Sequence, residues 1–253
     1  MTAQDPKQKD TSREPSGAPD LKWLEGEVPL ARGFDDTYFS RAGGMEETRH
    51  VFLDGNGLPE RFEGRQAFTI AEFGFGTGLN FLTTLATLAG MSRPPGLHFI
   101  SFELFPMTAG QLERALAAFP VLAETSAELI SKWAPKPGWN RMTVSKADLL
   151  LGIGDARDLI ADLVVESGQV PVDGTVIAPV DAWYLDGFSP AKNPELWDAD
   201  LLASAGTLTA RDGTLASYTA AGWVRRNLHS AGFAIEKKAG FAGKREMVVG
   251  RKS

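Results

Sequence analysis

The sequence predicts an α/β fold: a mostly parallel sheet of seven strands, closed by a C-terminal antiparallel hairpin and accompanied by a small N-terminal lobe. Three observations predict it. From residue 67 onward, apolar segments of strand length alternate with segments of helical periodicity, which implies parallel strands joined by right-handed crossovers. A glycine-rich turn separates the first of these strands from its helix. The last two strand segments are joined by a turn too short to hold a helix, so that pair must run antiparallel.

Residues 1–20 are polar and contain prolines but almost no large apolar groups. A disordered leader is expected there, because little burial is available to offset its ordering entropy. Residues 21–66 carry aromatics at Trp23, Phe34, Tyr38, Phe39, Phe52 and Phe62, with turn signals at Gly43-Gly44 and Gly55-Asn56-Gly57. They form the N-terminal lobe, in which 48–54 and 58–62 are expected to pair as a hairpin. Residues 67–253 form the main domain. Its first strand spans 68–73, and the following helix buries Leu82, Leu85, Ala86 and Ala89. The second strand is 97–102. Thr108 and Gln111 then make a capping box that starts the next helix. A third β region covers 142–153 with a turn near Lys146, and the fourth strand is 181–185. Asn193-Pro194-Glu195 supplies an N-cap, a proline at the first helical position and a first-turn acid. The fifth strand is 213–218, and a helix over 219–231 ends at Gly232. The closing pair is 233–238 and 246–250. A mostly parallel sheet ending this way is the topology of Rossmann-like class I S-adenosylmethionine methyltransferases.

The 253-residue chain is 43% hydrophobic and 23% charged, an ordinary balance for a folded domain. No apolar run reaches membrane-spanning length and the first twenty residues lack a secretory pattern, so a cytoplasmic protein with no membrane partner is expected. The absence of cysteine excludes disulfides, thiolate metal sites and thiol nucleophiles. Three scattered histidines, His50, His98 and His229, leave no multi-His metal site, so no metal is expected. The net charge of −6 argues against coating nucleic acid by bulk charge. That charge is segregated, however. Residues 211–253 hold nine Lys and Arg against three acids, and the rest hold 17 against 29. Any nucleic-acid contact should therefore be local and salt-sensitive, with few phosphates engaged.

Chemistry-bearing residues fall at the ends of the predicted strands. Glu72 precedes Gly74, Gly76 and Gly78, and Asn80 follows them. Such glycines let the backbone turn tightly and approach a ligand, with a helix N-terminus behind them. The spacing is G-x-G-x-G with Leu79 where a dinucleotide fold has its last glycine. An acid at Glu72 suits an ammonium, as on the amino-acid tail of S-adenosylmethionine, better than a pyrophosphate. Glu103, just after the second strand, can accept both hydroxyls of a ribose. Asp155, after the third β region, can meet an adenine amino group or simply cap a turn. The segment DAWYLDGFSPAKNP delivers Asp186 to the carboxyl edge of the sheet, where open α/β folds bind ligands. Phe188 and Pro190 can wall a flat ring there, and Asp186 can orient an amine and take its proton. Lys192 fits either a substrate contact or a solvated charge.

The strings FDDTYFS, GGMEETRHVFLDGNGLPERF, EFGFGTGLNFL, LHFISFELFP, DAWYLDGFSPAKNPELW, GTLASYTAAGWVRR and GFAGKREM together resemble the methyltransferase half of the MnmC family of bacterial tRNA wobble-uridine enzymes, from about residue 34 to 250. The resemblance implies S-adenosylmethionine as cofactor and N-methylation of 5-aminomethyl-(2-thio)uridine at the wobble position. It places Asp186 on the family's active-site aspartate. In two-domain members a flavin oxidase follows the transferase. This chain has no second glycine fingerprint, so a stand-alone transferase without FAD is expected, its amine supplied by upstream wobble-uridine modification enzymes. The partner is then a tRNA anticodon region. Its uridine must leave the stack and meet flat walls, for which Phe188 and either Tyr38 or Phe39 are candidates, although aromatics in 34–39 also suit a core. Arg225, Arg226, Lys244 and Arg245 are candidates for the phosphates. Competing readings are a same-fold methyltransferase acting on another amine, in a protein or small molecule, an NAD-dependent oxidoreductase, and an idle RNA-binding module.

Overall fold

In this computed structural model, which describes residues 17–165, 175–243 and 246–253, the segment AFTIAEF forms a strand buried on both faces, as a central parallel strand requires. The strands in chain order are β1 (Leu21–Trp23), β2 (Pro29–Ala31), β3 (Asp36–Thr37), β4 (Ala67–Phe73), β5 (Gly96–Glu103), β6 (Gly138–Val144), β7 (Ala147–Ile153), β8 (Leu163–Val165), β9 (Thr175–Ile177), β10 (Val180–Leu185), β11 (Thr209–Ser217), β12 (Phe233–Ala239) and β13 (Glu246–Lys252). The α-helices are α1 (Gly44–Thr48), α2 (Leu79–Ala89), α3 (Ala109–Leu116), α4 (Ala123–Ser131), α5 (Ala156–Leu159), α6 (Ala199–Leu208) and α7 (Gly222–Ser230).

The main sheet runs β12-β13-β11-β10-β4-β5-β7-β6. Strands β11, β10, β4, β5 and β7 are mutually parallel. The expected terminal hairpin is present as β12 and β13, antiparallel to each other and to β11. The sheet has eight strands rather than seven, because the third β region is itself a hairpin. Strand β6 pairs antiparallel with β7 across a turn at Ser145 and Lys146, which have φ of 48° and 68°. From β4 the chain winds outward through β5 and β7, then returns to β10 on the other side of β4. That reversal opens a crevice at the carboxyl ends of β4 and β10.

Side-chain alternation sorts the sheet into two apolar layers. Ile70, Phe99 and Tyr184 face a core shared with α2 and with residues 45–62. Ala71, Ile100 and Trp183 face a second core closed by α6 and α7. The expected hairpin within the N-terminal lobe does not form. Residues 44–56 are instead a continuous helical stretch of α, π and 3-10 turns, followed by a 3-10 turn at Glu60–Phe62. Thr48, Phe52 and Asn56 are all buried at a spacing of four, together with Val51 and Leu53. That is a helical face pressed on the sheet, not a two-residue alternation. Phe52 stacks on Tyr184 with centroids 5.3 Å apart.

The capping box is realised in both halves at Thr108 and Gln111. The stretch Asn193-Pro194-Glu195 opens only a 3-10 turn, Pro194–Trp197. Asp198 is the N-cap of α6, where its carboxylate accepts from the Leu201 N–H at 2.8 Å. Residues 1–16 of the expected leader lie outside the described residues. Its last residues are tied down, since the Pro19 carbonyl accepts from Gln111 Nε2 and the Asp20 carbonyl from the Arg32 N–H. Among the described residues no helix is long and apolar enough to cross a membrane.

At the amino-terminal end of β10, the buried Asp181 carboxylate accepts from the Thr69 N–H of β4 and from Arg65 Nη2, each at 2.9 Å. Asp181→Ala would leave a buried N–H without a partner. It should lower the unfolding free energy by about 2–3 kcal/mol in urea titrations. Arg65→Ala should cost about 1 kcal/mol or less, because that side chain is 47% exposed.

Candidate active site

A cavity of about 250 Å³ lies in the crevice at the carboxyl edge. Its walls come from two directions. The ends of β4, β5 and β7 supply Gly74, Gly76, Glu103 and Asp155; the segment after β10, with residues 34–48, supplies Asp186, Phe188, Phe34, Asp36, Tyr38 and Glu47.

The glycine turn is shaped by contact on both sides. Gly74 has φ of +78°, and a Cβ there would stand 3.0 Å from the Gly187 Cα, so the loops after β4 and β10 touch backbone to backbone. Gly76 has φ of +56° and lies directly under the Tyr38 ring. The Gly76 N–H donates to Glu103 Oε2 at 2.7 Å, and the Phe105 N–H donates to Glu103 Oε1 at 2.8 Å. Burial raises the Glu103 carboxyl above its ordinary range, against the lowering effect of these N–H groups.

Asp186 is bonded at both oxygens. Oδ2 accepts from Asn80 Nδ2 and Oδ1 from the Gly187 N–H, each at 2.8 Å. The loop that carries it is held from three sides. Tyr218 donates its hydroxyl to the Gly187 carbonyl at 2.8 Å, Trp197 Nε1 donates to the Phe188 carbonyl at 3.1 Å, and the Ser189 N–H donates to Asp36 Oδ2 at 3.0 Å. Phe188 stacks on Phe34, with centroids 4.4 Å apart and planes at 24°, and meets the edge of Tyr38 at 5.2 Å. Burial raises the Tyr38 and Tyr218 hydroxyls, with Glu103 adding to the first and Asp186, Asp36 and Glu47 to the second. Both therefore stay protonated at neutral pH.

Gly74, Gly76, Asn80, Glu103, Asp155, Asp186, Tyr38 and Phe188 are thus brought together at one cavity. Others of the expected site residues are not. Glu72 is fully buried behind the wall, where its oxygens accept from Asn80 Nδ2 at 2.8 Å and Ser101 Oγ at 2.7 Å. Gly78, with φ of +73°, packs under Phe75 at the start of α2. Asp155 lines the cavity, but its carboxylate also caps α5 and pairs with Arg157. Burial pushes that carboxyl up, and the bonds from Arg157 outweigh it to hold the group below its ordinary value. Pro190 is buried off the wall. Lys192 turns away and donates to the Asp35 carbonyl, with the Asp35 carboxylate 3.6 Å off. Arg225 donates Nε to the Ala220 carbonyl, and the Arg225 and Arg226 guanidinium groups lie against Gly222, off the cavity. Lys244 and Arg245 lie outside the described residues. Sequence reasoning missed Phe34, Asp36, Glu47 and Tyr218 as cavity residues. Their signal lay in the FDDTYFS, GGMEETRH and GTLASYTAAGW strings, where no spacing singled them out. Among the described residues no group of three or more His, Asp or Glu side chains is placed to hold a metal ion.

Residues 120–253 match the sequence model of a family described as S-adenosyl-L-methionine-dependent methyltransferase. The chain is 43% identical over 242 residues to the tRNA 5-methylaminomethyl-2-thiouridine biosynthesis bifunctional protein MnmC of Aeromonas hydrophila, covering 92% of this chain and 35% of that protein. It is 44% identical over 237 residues to the protein of the same name from Ectopseudomonas mendocina, covering 91% and 34%. The chain spans about one third of the length of these curated relatives. Among solved structures, MNMC2 from Aquifex aeolicus aligns with a TM-score of 0.68 at 24% identity, over 93% of this chain and 70% of that one, which is a likeness of fold.

Burial holds the Glu72 carboxyl well above its ordinary pKa of 4.5, with the nearby Asp186 and Glu103 charges adding to the shift and the bonds from Ser101 and Asn80 opposing it. The folded state then keeps a proton that the unfolded chain releases, so stability falls as pH rises above 4.5 toward the folded value. Glu72→Gln should remove that slope. Unfolding free energies measured between pH 5 and pH 8 should decline less steeply for the variant than for the parent, and the variant should be no less stable at neutral pH.

Proposed function

Because this chain belongs to the family of S-adenosyl-L-methionine-dependent methyltransferases, we propose that its cavity transfers a methyl group to the amine of 5-aminomethyl-(2-thio)uridine at the wobble position of tRNA, giving the 5-methylaminomethyl form. The observation that carries this reading is the placement of the Asp186 carboxylate beside the stacked Phe34 and Phe188 rings. It joins an amine-binding group to a surface fit for a flat base. The names of the relatives, which concern 5-methylaminomethyl-2-thiouridine in tRNA, agree with it. In this reading residues 67–253 carry the transferase and 21–66 complete its cavity.

The residues present fit the cofactor. The Glu103 carboxylate, held by the Gly76 and Phe105 N–H groups, presents two oxygens that can accept the hydroxyls of a ribose diol. Gly74 and Gly76 let backbone approach the ligand, and Asp155, on the same cavity, would be the acid to meet an adenine amino group. When bound, S-adenosylmethionine supplies an electrophilic methyl. The chain's own residues hold the acceptor. Asp186 binds the cationic amine, receives its proton and leaves the nitrogen lone pair directed by two fixed oxygens. Asp36 and Glu47, on the same cavity, extend the negative field that draws a cationic amine in. Phe34, Phe188 and Tyr38 enclose the base and exclude water from it.

Incubation with tRNA carrying the aminomethyl nucleoside and S-adenosylmethionine should add one methyl to the wobble nucleoside, read by mass spectrometry. No gain, or a gain only on other amines, would overturn the substrate reading. Asp186→Ala should lower kcat by about 10²–10⁴ while S-adenosylhomocysteine still binds. Glu103→Ala should weaken S-adenosylhomocysteine binding about tenfold or more in calorimetry.

A further inference from the structure

We propose that Asn80 is a positioning residue for Asp186, its amide locked in one orientation by Thr48 from the N-terminal segment and by Glu72 from β4. The inference rests on the reading that Asp186 holds the acceptor amine. It moves Asn80 from the cofactor side of the cavity, where its place after the glycine turn put it, to the substrate side.

Asn80 is buried in the first turn of α2. Its Nδ2 donates to Glu72 Oε1 and to Asp186 Oδ2, both at 2.8 Å. Its Oδ1 accepts from Thr48 Oγ1 at 2.7 Å, and Thr48 is itself buried at the end of α1. A flipped amide would set its carbonyl oxygen against the Asp186 carboxylate, which accepts but does not donate, and would take from Thr48 Oγ1 its acceptor, so the bonding pattern favours one orientation. Both hydrogens of the amide are thereby committed to acids at the ends of neighbouring strands. The Gly187 N–H holds the other Asp186 oxygen. With both oxygens anchored, the plane of the carboxylate is fixed before any substrate enters, which is where a positioning effect acts on kcat. Three separate stretches, 48, 72–80 and 186–187, share this network.

Asn80→Ala should lower kcat for methyl transfer about 10- to 100-fold, with the S-adenosylhomocysteine affinity within about twofold of the parent's. Thr48→Val should lower kcat several-fold in the parent but leave it within about twofold in the Asn80→Ala background, because the amide it orients is gone. A readout independent of substrate is the titration of the Asp186 carboxyl, followed by carbon-13 NMR in aspartate-labelled protein and assigned with Asp186→Asn. Loss of the Asn80 donor removes a bond to the ionised form and should move that titration to higher pH. The titratable groups facing Asp186 are Glu103 on β5, Asp36 and Glu47 of the N-terminal segment, Tyr218, and Glu72 on β4, which loses its own Asn80 bond in the variant and is thereby held further toward its protonated form. Asn80→Ser, which keeps a small polar group, stands in if the alanine variant unfolds. An unmoved titration, or a loss of cofactor affinity as large as the loss in kcat, would overturn the proposal. Inactivity of the parent protein on aminomethyl-bearing tRNA would overturn the substrate reading alone, and the titration would still decide the role of Asn80.

Discussion

The site depends on β4 and β10 being parallel neighbours at the point where the strand order reverses. Their register pairs Phe73 with Leu185, so the chains leave the sheet side by side and the next residues, Gly74 and Asp186-Gly187, must share one space. Only glycine tolerates the result, a backbone contact at positive φ on both sides. The same adjacency sets Glu72 and Asp186 near enough for a single amide to bond both. Two acids at adjacent strand ends would repel if both were ionised. The structure eases this by burying Glu72 completely, which raises its pKa, while Asp186 lines the cavity.

Around that junction the N-terminal segment acts as part of the domain rather than as an appendage. Its helical stretch covers the sheet over Tyr184 and Ala216. Asn56 donates to the Trp183 carbonyl and accepts from Thr214, which ties the segment to β10 and β11 below the cavity. At the cavity it contributes Phe34, Asp36 and Tyr38, each bonded to or packed on the Asp186 loop or the glycine turn, and Thr48, bonded to Asn80 in α2. One wall of the cavity is therefore built by this segment.

What the sequence made legible follows from the range of each interaction. Strand and helix alternation, the capping box at Thr108 and the terminal hairpin are local patterns, and all three are realised. Strand-end acids such as Glu103 and Asp186 were identifiable because the fold class fixes where strand ends go. The helical form of 48–56 was obscured because its apolar residues are adjacent in sequence and flanked by Gly-Asn-Gly, a turn signal that here only ends a 3-10 turn. The roles of Asp36 and Thr48 were invisible for another reason. Their partners, Ser189 and Asn80, are 153 and 32 residues away, and no periodicity encodes such a pairing. Lys192 shows the converse. A lysine in a site-like loop fits a substrate contact or a solvated charge, and only the fold shows that Asp35 is its neighbour.

The charge distribution along the chain gains a spatial meaning from this arrangement. The acids at the cavity, Asp36, Glu47, Glu103 and Asp186, gather negative charge there, and in the proposed reading that field, strengthened by the apolar walls around it, favours a cationic amine. The same field repels a phosphate backbone, so a tRNA bound as proposed would present only its base to the cavity, with its phosphates held elsewhere. Positive residues are concentrated after residue 210, on α7 and the terminal hairpin. Among the described ones, Arg225 and Arg226 sit off the cavity while following directly from the Tyr218 loop that helps hold Gly187. Under the proposed function, this separation of cavity acids from the lysines and arginines that follow residue 210 would let a chain of net negative charge accept a cationic amine carried on a polyanion.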